Sequence, residues 1–181
     1  MENVIDSRTL RVSPTFAGMT DNKTMEIISK NAEQTQAIGR MLAETILNTM
    51  PGKQALVLAL EGDLGGGKTI FVQGVAQGLG IRENLTSPTF VIMKSYFIPH
   101  LNPPPLQGGG SAVFYHLDCY RLKDENDLEA LGIKEILADS KNIVAIEWAE
   151  RVRKLLPKDA VKIKLEVIDE NTRKIVLLLN C

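Results

Sequence analysis

The 181 residues are 44% hydrophobic and 24% charged, with a formal net charge of -1, the composition of a packed globular domain and not of a disordered chain. That near-neutral balance excludes the strongly basic footprint of an autonomous DNA or RNA binder. The longest apolar runs, Ala55–Leu60 and Ile175–Leu179, are far short of the ~20 residues that span a bilayer, and Cys119 and Cys181 have no zinc or disulfide spacing.

Met1 to Lys23 is aperiodic and rich in Ser, Thr, Asn and Asp, without a signal-peptide apolar core. Residues 1–24 therefore read as a disordered tail, upstream of an alternative start at Met25, and residues 25–181 as one domain of a cytoplasmic protein. Met25–Ser29 reads as a short strand. Asn31 or Thr35 then caps a helix whose apolar residues Ile38, Met41, Leu42, Ile46 and Leu47 recur at helical spacing, closed by Pro51–Gly52. Ala55–Leu60 has no polar alternation, as in a strand covered on both faces. A glycine-rich turn follows, and Phe71, Val72, Val75, Ala76 and Leu79 give a helix with Gly78 and Gly80 near its end.

Val91–Phe97 and Ala112–Leu117 read as strands, and the Pro/Gly-rich residues between them, 98–111, as a flexible insert. Glu125–Asp139 reads as an acidic helical segment, Ile143–Ile146 as a buried strand and Ala149–Leu155 as a short helix. Val161–Ile168 and Arg173–Leu179, joined by Asp169–Thr172, form a terminal antiparallel pair. The fold class expected is α/β: a P-loop NTPase-type mixed, largely parallel sheet flanked by helices.

Gly62-Asp63-Leu64-Gly65-Gly66-Gly67-Lys68-Thr69 matches G-x-x-x-x-G-K-[ST] at every fixed position, between a buried strand and a helix, the context this motif requires. Glycines let successive amides turn inward as an anion cradle, Lys68 can bridge outer phosphates, and the Thr69 hydroxyl can ligate Mg²⁺. Nucleotide contacts are expected from Gly62, Asp63, Leu64, Gly65, Gly66, Gly67, Lys68, Thr69 and Ile70. The bland alternative is a glycine-rich turn, and a chance match in a chain of this size is on the order of one in a hundred.

Three clusters follow the loop: Thr86-Ser87-Pro88-Thr89-Phe90, His116-Leu117-Asp118-Cys119-Tyr120-Arg121-Leu122, and Ile146-Glu147-Trp148-Ala149-Glu150. With these the chain, from about Met25 to its C-terminus, resembles the TsaE (YjeE) family, the small ATPases of tRNA threonylcarbamoyladenosine (t6A) biosynthesis, which show a GDLGAGKT-like loop, S-P-T-F, H-x-D-x-Y-R and an E-W pair. Gly66 stands where alanine is common in that family, and residues 98–111 look like an insertion. A second S-P-T-F at Ser13–Phe16 is out of order relative to the loop and reads as coincidence. The resemblance implies ATP and Mg²⁺ as cofactors. It also implies slow hydrolysis alone, action on the threonylcarbamoyl transferase subunit and its paralogous companion (TsaD and TsaB type), and only indirect contact with tRNA.

Asp118, at a strand end, can hold Mg²⁺ directly or through water, beside Thr69 and Glu147 as metal ligands, or it is a carboxylate in a turn. Glu147, also at a strand end, can orient the attacking water, which makes Lys68 and Glu147 the catalytic pair. Ser87 and Thr89 lie in what the resemblance makes a switch segment, where Thr89 senses the γ-phosphate or is an ordinary loop threonine. Trp148 packs on nucleotide, partner or core. Arg121 pairs with phosphate, with Asp118 or with a surface acid. His116 reads as a packing residue. Rival functions are a small-molecule kinase, a GTPase, although no N-K-x-D motif follows the loop, and a nucleotide-gated binding module with incidental hydrolysis.

Overall fold

The computed structural model describes residues 22–49, 53–99, 111–122 and 126–180. In chain order these form β1 (Asn22–Ser29), α1 (Ala32–Thr49), β2 (Leu56–Glu61), α2 (Lys68–Gly78), β3 (Met93–Phe97), β4 (Val113–Asp118), α3 (Asn126–Glu129) and α4 (Ile133–Ala138). Then come β5 (Ile143–Glu147), a 3-10 helix (Ala149–Leu155), β6 (Val161–Val167) and β7 (Arg173–Asn180). Residues 1–21 of the expected tail, Pro51–Gly52 and residues 100–110 of the expected insert lie outside the described residues.

The seven strands form one mixed sheet in the order β1-β7-β6-β2-β5-β4-β3. Strands β6, β2, β5 and β4 run parallel in its centre. Antiparallel partners close both sides, β3 on β4, β7 on β6 and β1 on β7. The expected terminal pair is β6–β7, whose turn is closed by the Ile168 and Asp169 amides donating to Thr172 O at 3.0 and 3.4 Å. Strand β1 begins at Asn22, three residues before the expected domain start, because its pairing with β7 continues to Asn180.

The unalternating apolar run of β2 has a direct cause: Leu58 and Leu60 enter the core on one face of the sheet, Val57 and Ala59 on the other. Strand β5 divides likewise, Ile143 and Ala145 against Val144 and Ile146. Helices α1 and α2 cover the first face through Ile38, Ile46, Phe71, Val72 and Val75. Leu128, Ile133, Ala149 and Val152 fill the second. No helix among the described residues is long and apolar enough to cross a membrane.

Helix α1 is capped by Asn31, whose Oδ1 accepts the Gln34 amide at 2.8 Å while Gln34 Oε1 accepts the Lys30 amide at 2.8 Å, a reciprocal arrangement of the capping-box kind. It lies against α2 at very short range. A Cβ on Gly74 would fall 2.0 Å from Gln36 O, so only glycine lets the two backbones approach this closely.

Three expected elements are redrawn. The acidic segment Glu125–Asp139, whose first residue lies outside the described ones, is from Asn126 two short helices, α3 and α4, broken at Gly132 in a left-handed conformation (φ 74°). The strand expected from Val91 begins at Met93, because the Val91 and Ile92 amides turn back to Pro88 O at 2.9 and 2.7 Å. The helix at Ala149–Leu155 is 3-10, interrupted at Val152. The β3–β4 ladder also reaches into the expected insert: Ile98 is buried, and its amide donates to Ala112 O at 3.2 Å.

Candidate functional site

The Gly62–Thr69 segment joins β2 to α2 and turns on glycines. Gly62 has φ 137°, and a Cβ there would meet Leu165 O of β6 at 2.2 Å. Gly67 has φ 92° and caps α2 without any side-chain bond to the first-turn amides, which leaves those donors and the positive end of the helix for an anion. The Gly66 amide donates to Asp63 O at 3.0 Å, closing a turn within the loop. Leu64 is 78% exposed at the tip, and Ile70 sits in the first turn of α2, partly buried.

Lys68 is folded back onto the loop. Its ammonium donates to Gly62 O at 2.6 Å and Asp63 O at 2.9 Å, and lies 3.7 Å from the centre of the Trp148 ring. Burial pushes its pKa down; Glu147 opposes this most, followed by Glu150, Asp118 and Asp63. The lysine thus sits among acids with its charge satisfied by carbonyls and a ring face.

Parallel pairing of β4 with β5 sets Asp118 opposite Glu147, at the C-terminal ends of neighbouring central strands, where open α/β sheets place their ligand crevice. Both carboxylates are buried. Glu147 is held twice: Thr69 Oγ1 donates to Oε2 at 2.9 Å, and His116 Nε2 lies 2.8 Å from Oε1. Because a carboxylate only accepts, the ring proton belongs on Nε2; His116 Nδ1 is buried without a partner. The packing role expected of His116 is therefore incomplete, since it orients Glu147. A signal was available: His116 and Asp118, two apart on one strand, share a face.

Asp118 serves a different group. Its Oδ2 accepts Ser87 Oγ at 3.1 Å and Thr89 Oγ1, and its Oδ1 accepts the Tyr120 amide at 2.9 Å. The expected metal set is thus divided, Thr69 bonded to Glu147 and Asp118 bonded to the expected switch residues Ser87 and Thr89. Among the described residues no group of three or more His, Cys, Asp or Glu could hold a metal by itself. The oxygen donors present suit Mg²⁺, which is commonly bound through one or two carboxylates plus phosphate and water. The Thr69 hydroxyl gives its proton to Glu147 and keeps its lone pairs for a cation.

Trp148 is half-buried with φ 59°, and the other non-glycine residue of positive φ among those described is Ile92, φ 66°. Such backbone costs about 1–3 kcal/mol per residue and gathers at functional sites; here the two flank the carboxylates. Tyr120 packs on Trp148 with ring centres 4.9 Å apart and the planes tilted by 43°. The Arg121 guanidinium lies 4.5 Å over the Phe90 ring. Burial pushes the Cys119 thiol up to about 12, which leaves it unreactive. Arg173, which no sequence signal marked, donates from β7 to Gly65 O at 3.0 and 3.2 Å.

Fold and site together define a mixed α/β protein whose glycine-rich loop and paired carboxylates share the C-terminal ends of the central strands. The family model for the threonylcarbamoyl adenosine biosynthesis protein TsaE matches residues 29–175. The chain belongs to the TsaE family. It is 33% identical over 153 residues to the tRNA threonylcarbamoyladenosine biosynthesis protein TsaE of Treponema pallidum (strain Nichols), covering 84% of this chain and 99% of that one. The protein of that name from Bacillus subtilis (strain 168) is 37% identical over 145 residues, covering 80% and 79%. Among solved structures, Bacillus subtilis YdiB superposes with a TM-score of 0.65 at 29% identity, covering 91% of this chain and 90% of that one.

Proposed function

We propose that the protein is a P-loop ATPase that sustains turnover of the tRNA t6A machinery by acting on the threonylcarbamoyl transferase subunit and its paralogous companion, meeting tRNA only indirectly. The observation that carries this reading is the chain of bonds His116–Glu147–Thr69, which ends on the last residue of the G-x-x-x-x-G-K-T loop.

The loop amides and the N-terminus of α2 receive the phosphates, and Lys68 leaves its two carbonyls and the Trp148 face to neutralise them. Thr69, Glu147 and Asp118 are the groups to hold Mg²⁺, which when bound neutralises charge on the outer phosphates. Glu147, oriented by His116, keeps unused lone pairs to position the attacking water. Ser87 and Thr89 sense the γ-phosphate by exchanging Asp118 for it, which frees that carboxylate and reshapes the surface at Phe90. Turnover is slow until a partner surface settles this segment.

Reconstitution with the transferase pair, ATP and tRNA tests the proposal. Wild type is expected to hydrolyse ATP and support many rounds of modification, and Lys68→Ala to lose about a hundredfold or more of the hydrolysis. Equal modification by wild type and Lys68→Ala would reject it. Label from γ-phosphate appearing on an acceptor other than water would favour a kinase.

A further inference from the structure

We infer that Arg173 is a positioning residue that clamps the Gly62–Thr69 loop in its anion-receiving shape, and so sets nucleotide affinity while leaving turnover alone. Its effect on affinity rests on the nucleotide reading above; its effect on the loop does not.

Arg173 is 108 residues from Gly65 in the chain, and both Nε and Nη2 donate to Gly65 O, at 3.2 and 3.0 Å. The same guanidinium turns Nη1 to the carbonyls of Asp169, Glu170 and Thr172, at 2.8, 3.3 and 2.9 Å. One rigid planar fork therefore ties the β6–β7 turn to the loop, a geometry that lysine's single ammonium cannot copy.

The bond falls where the loop has little else to hold it. A Cβ on Gly65 would have no neighbour within 4 Å, and Leu64 beside it is 78% exposed. The peptide linking Gly65 to Gly66 is nevertheless fixed at both ends, its C=O by Arg173 and its N–H by Asp63 O at 3.0 Å. A planar trans peptide held at both ends has one orientation. Asp63 O in turn accepts Lys68 Nζ at 2.9 Å, so the restraint applied by Arg173 passes through one turn of the loop to the phosphate-binding lysine. Arg173, Gly65, Gly66 and Asp63 make no hydrogen bond to Glu147, whose own partners are Thr69 and His116, and Lys68 leaves Asp63 O when nucleotide binds, so affinity is expected to respond and saturated chemistry is not.

Amide hydrogen exchange on the full-length chain and binding of a fluorescent ATP analogue, with wild type, Arg173→Ala and Arg173→Lys, decide the matter. Arg173→Ala is expected to speed exchange in Asp63–Gly67 by about tenfold and to weaken nucleotide binding by about five- to tenfold, as loss of a charge-assisted pair at a half-exposed site implies. Saturated hydrolysis should stay within about twofold, and Arg173→Lys should fall between. Faster exchange confined to residues 168–172, with the loop unchanged, overturns the clamp and leaves Arg173 as a turn buttress. Slower saturated hydrolysis at unchanged affinity overturns it as well. If wild type binds no nucleotide, the nucleotide reading fails together with the affinity effect, and exchange in the loop still decides the clamp.

Discussion

Asp118 and Glu147 stand opposite each other in register on neighbouring parallel strands, and their surroundings could hardly differ more. Glu147 is held by a fully buried histidine and by the first turn of a helix packed glycine to backbone against its neighbour. Asp118 is held by hydroxyls of the Ser87–Thr89 segment, which runs on through the 84% exposed Phe90 to the strained Ile92. The first carboxylate belongs to the scaffold, and the second is shared with a surface segment that other contacts can draw away. A site built this way keeps its chemistry constant while its exposed half answers to ligand or partner.

Substitutions at four positions break or sharpen that contrast. Gly74→Ala should be the most damaging, because a methyl 2.0 Å from Gln36 O forces α1 and α2 apart; a loss of about 3 kcal/mol or more is expected in chemical denaturation. Full stability in that variant would mean that the scaffold side is softer than described. Glu147→Gln keeps the shape and the bond from Thr69. It should cut hydrolysis about a hundredfold or more with nucleotide affinity held within about threefold, and unchanged hydrolysis would remove Glu147 from the chemistry.

His116→Phe fills the same buried space without a donor. About a tenfold loss in saturated hydrolysis is expected, with affinity retained and most of the rate recovered in His116→Gln, whose amide can reach where Nε2 was. Equal rates in the two variants would make His116 mere packing after all. The least intrinsic effect is expected on the exposed side: Phe90→Ser should shift stability by less than about 0.5 kcal/mol and leave hydrolysis by the isolated protein unchanged. A large change in either would place Phe90 inside the scaffold half.

What the sequence disclosed follows the same division. The loop, its strand and its helix were legible because eight adjacent residues and two flanking apolar patterns specify them locally. Asp118 and Glu147 were legible as strand-end carboxylates, and their service to different partners was not. That depends on β4 pairing with β5 in one register and on Ser87 folding back across the strand end, both tertiary events. Nothing local marks Gly74, because the reason for it lies in α1. Gly132 broke the expected acidic helix by adopting φ 74°, a choice that periodicity does not record. Arg173 carries no motif at all and acquires its contact only when the β6–β7 turn closes beside the loop.

Trp148 is the chain's single tryptophan, and the Lys68 ammonium rests 3.7 Å from its ring centre. A charge at that range perturbs the indole's emission, so the protein carries its own optical gauge of where the loop lysine is. If the loop receives phosphate as proposed, adding nucleotide should move the emission without any added dye. The time course of that change would read out, in one cuvette, how often the lysine departs and returns during each cycle.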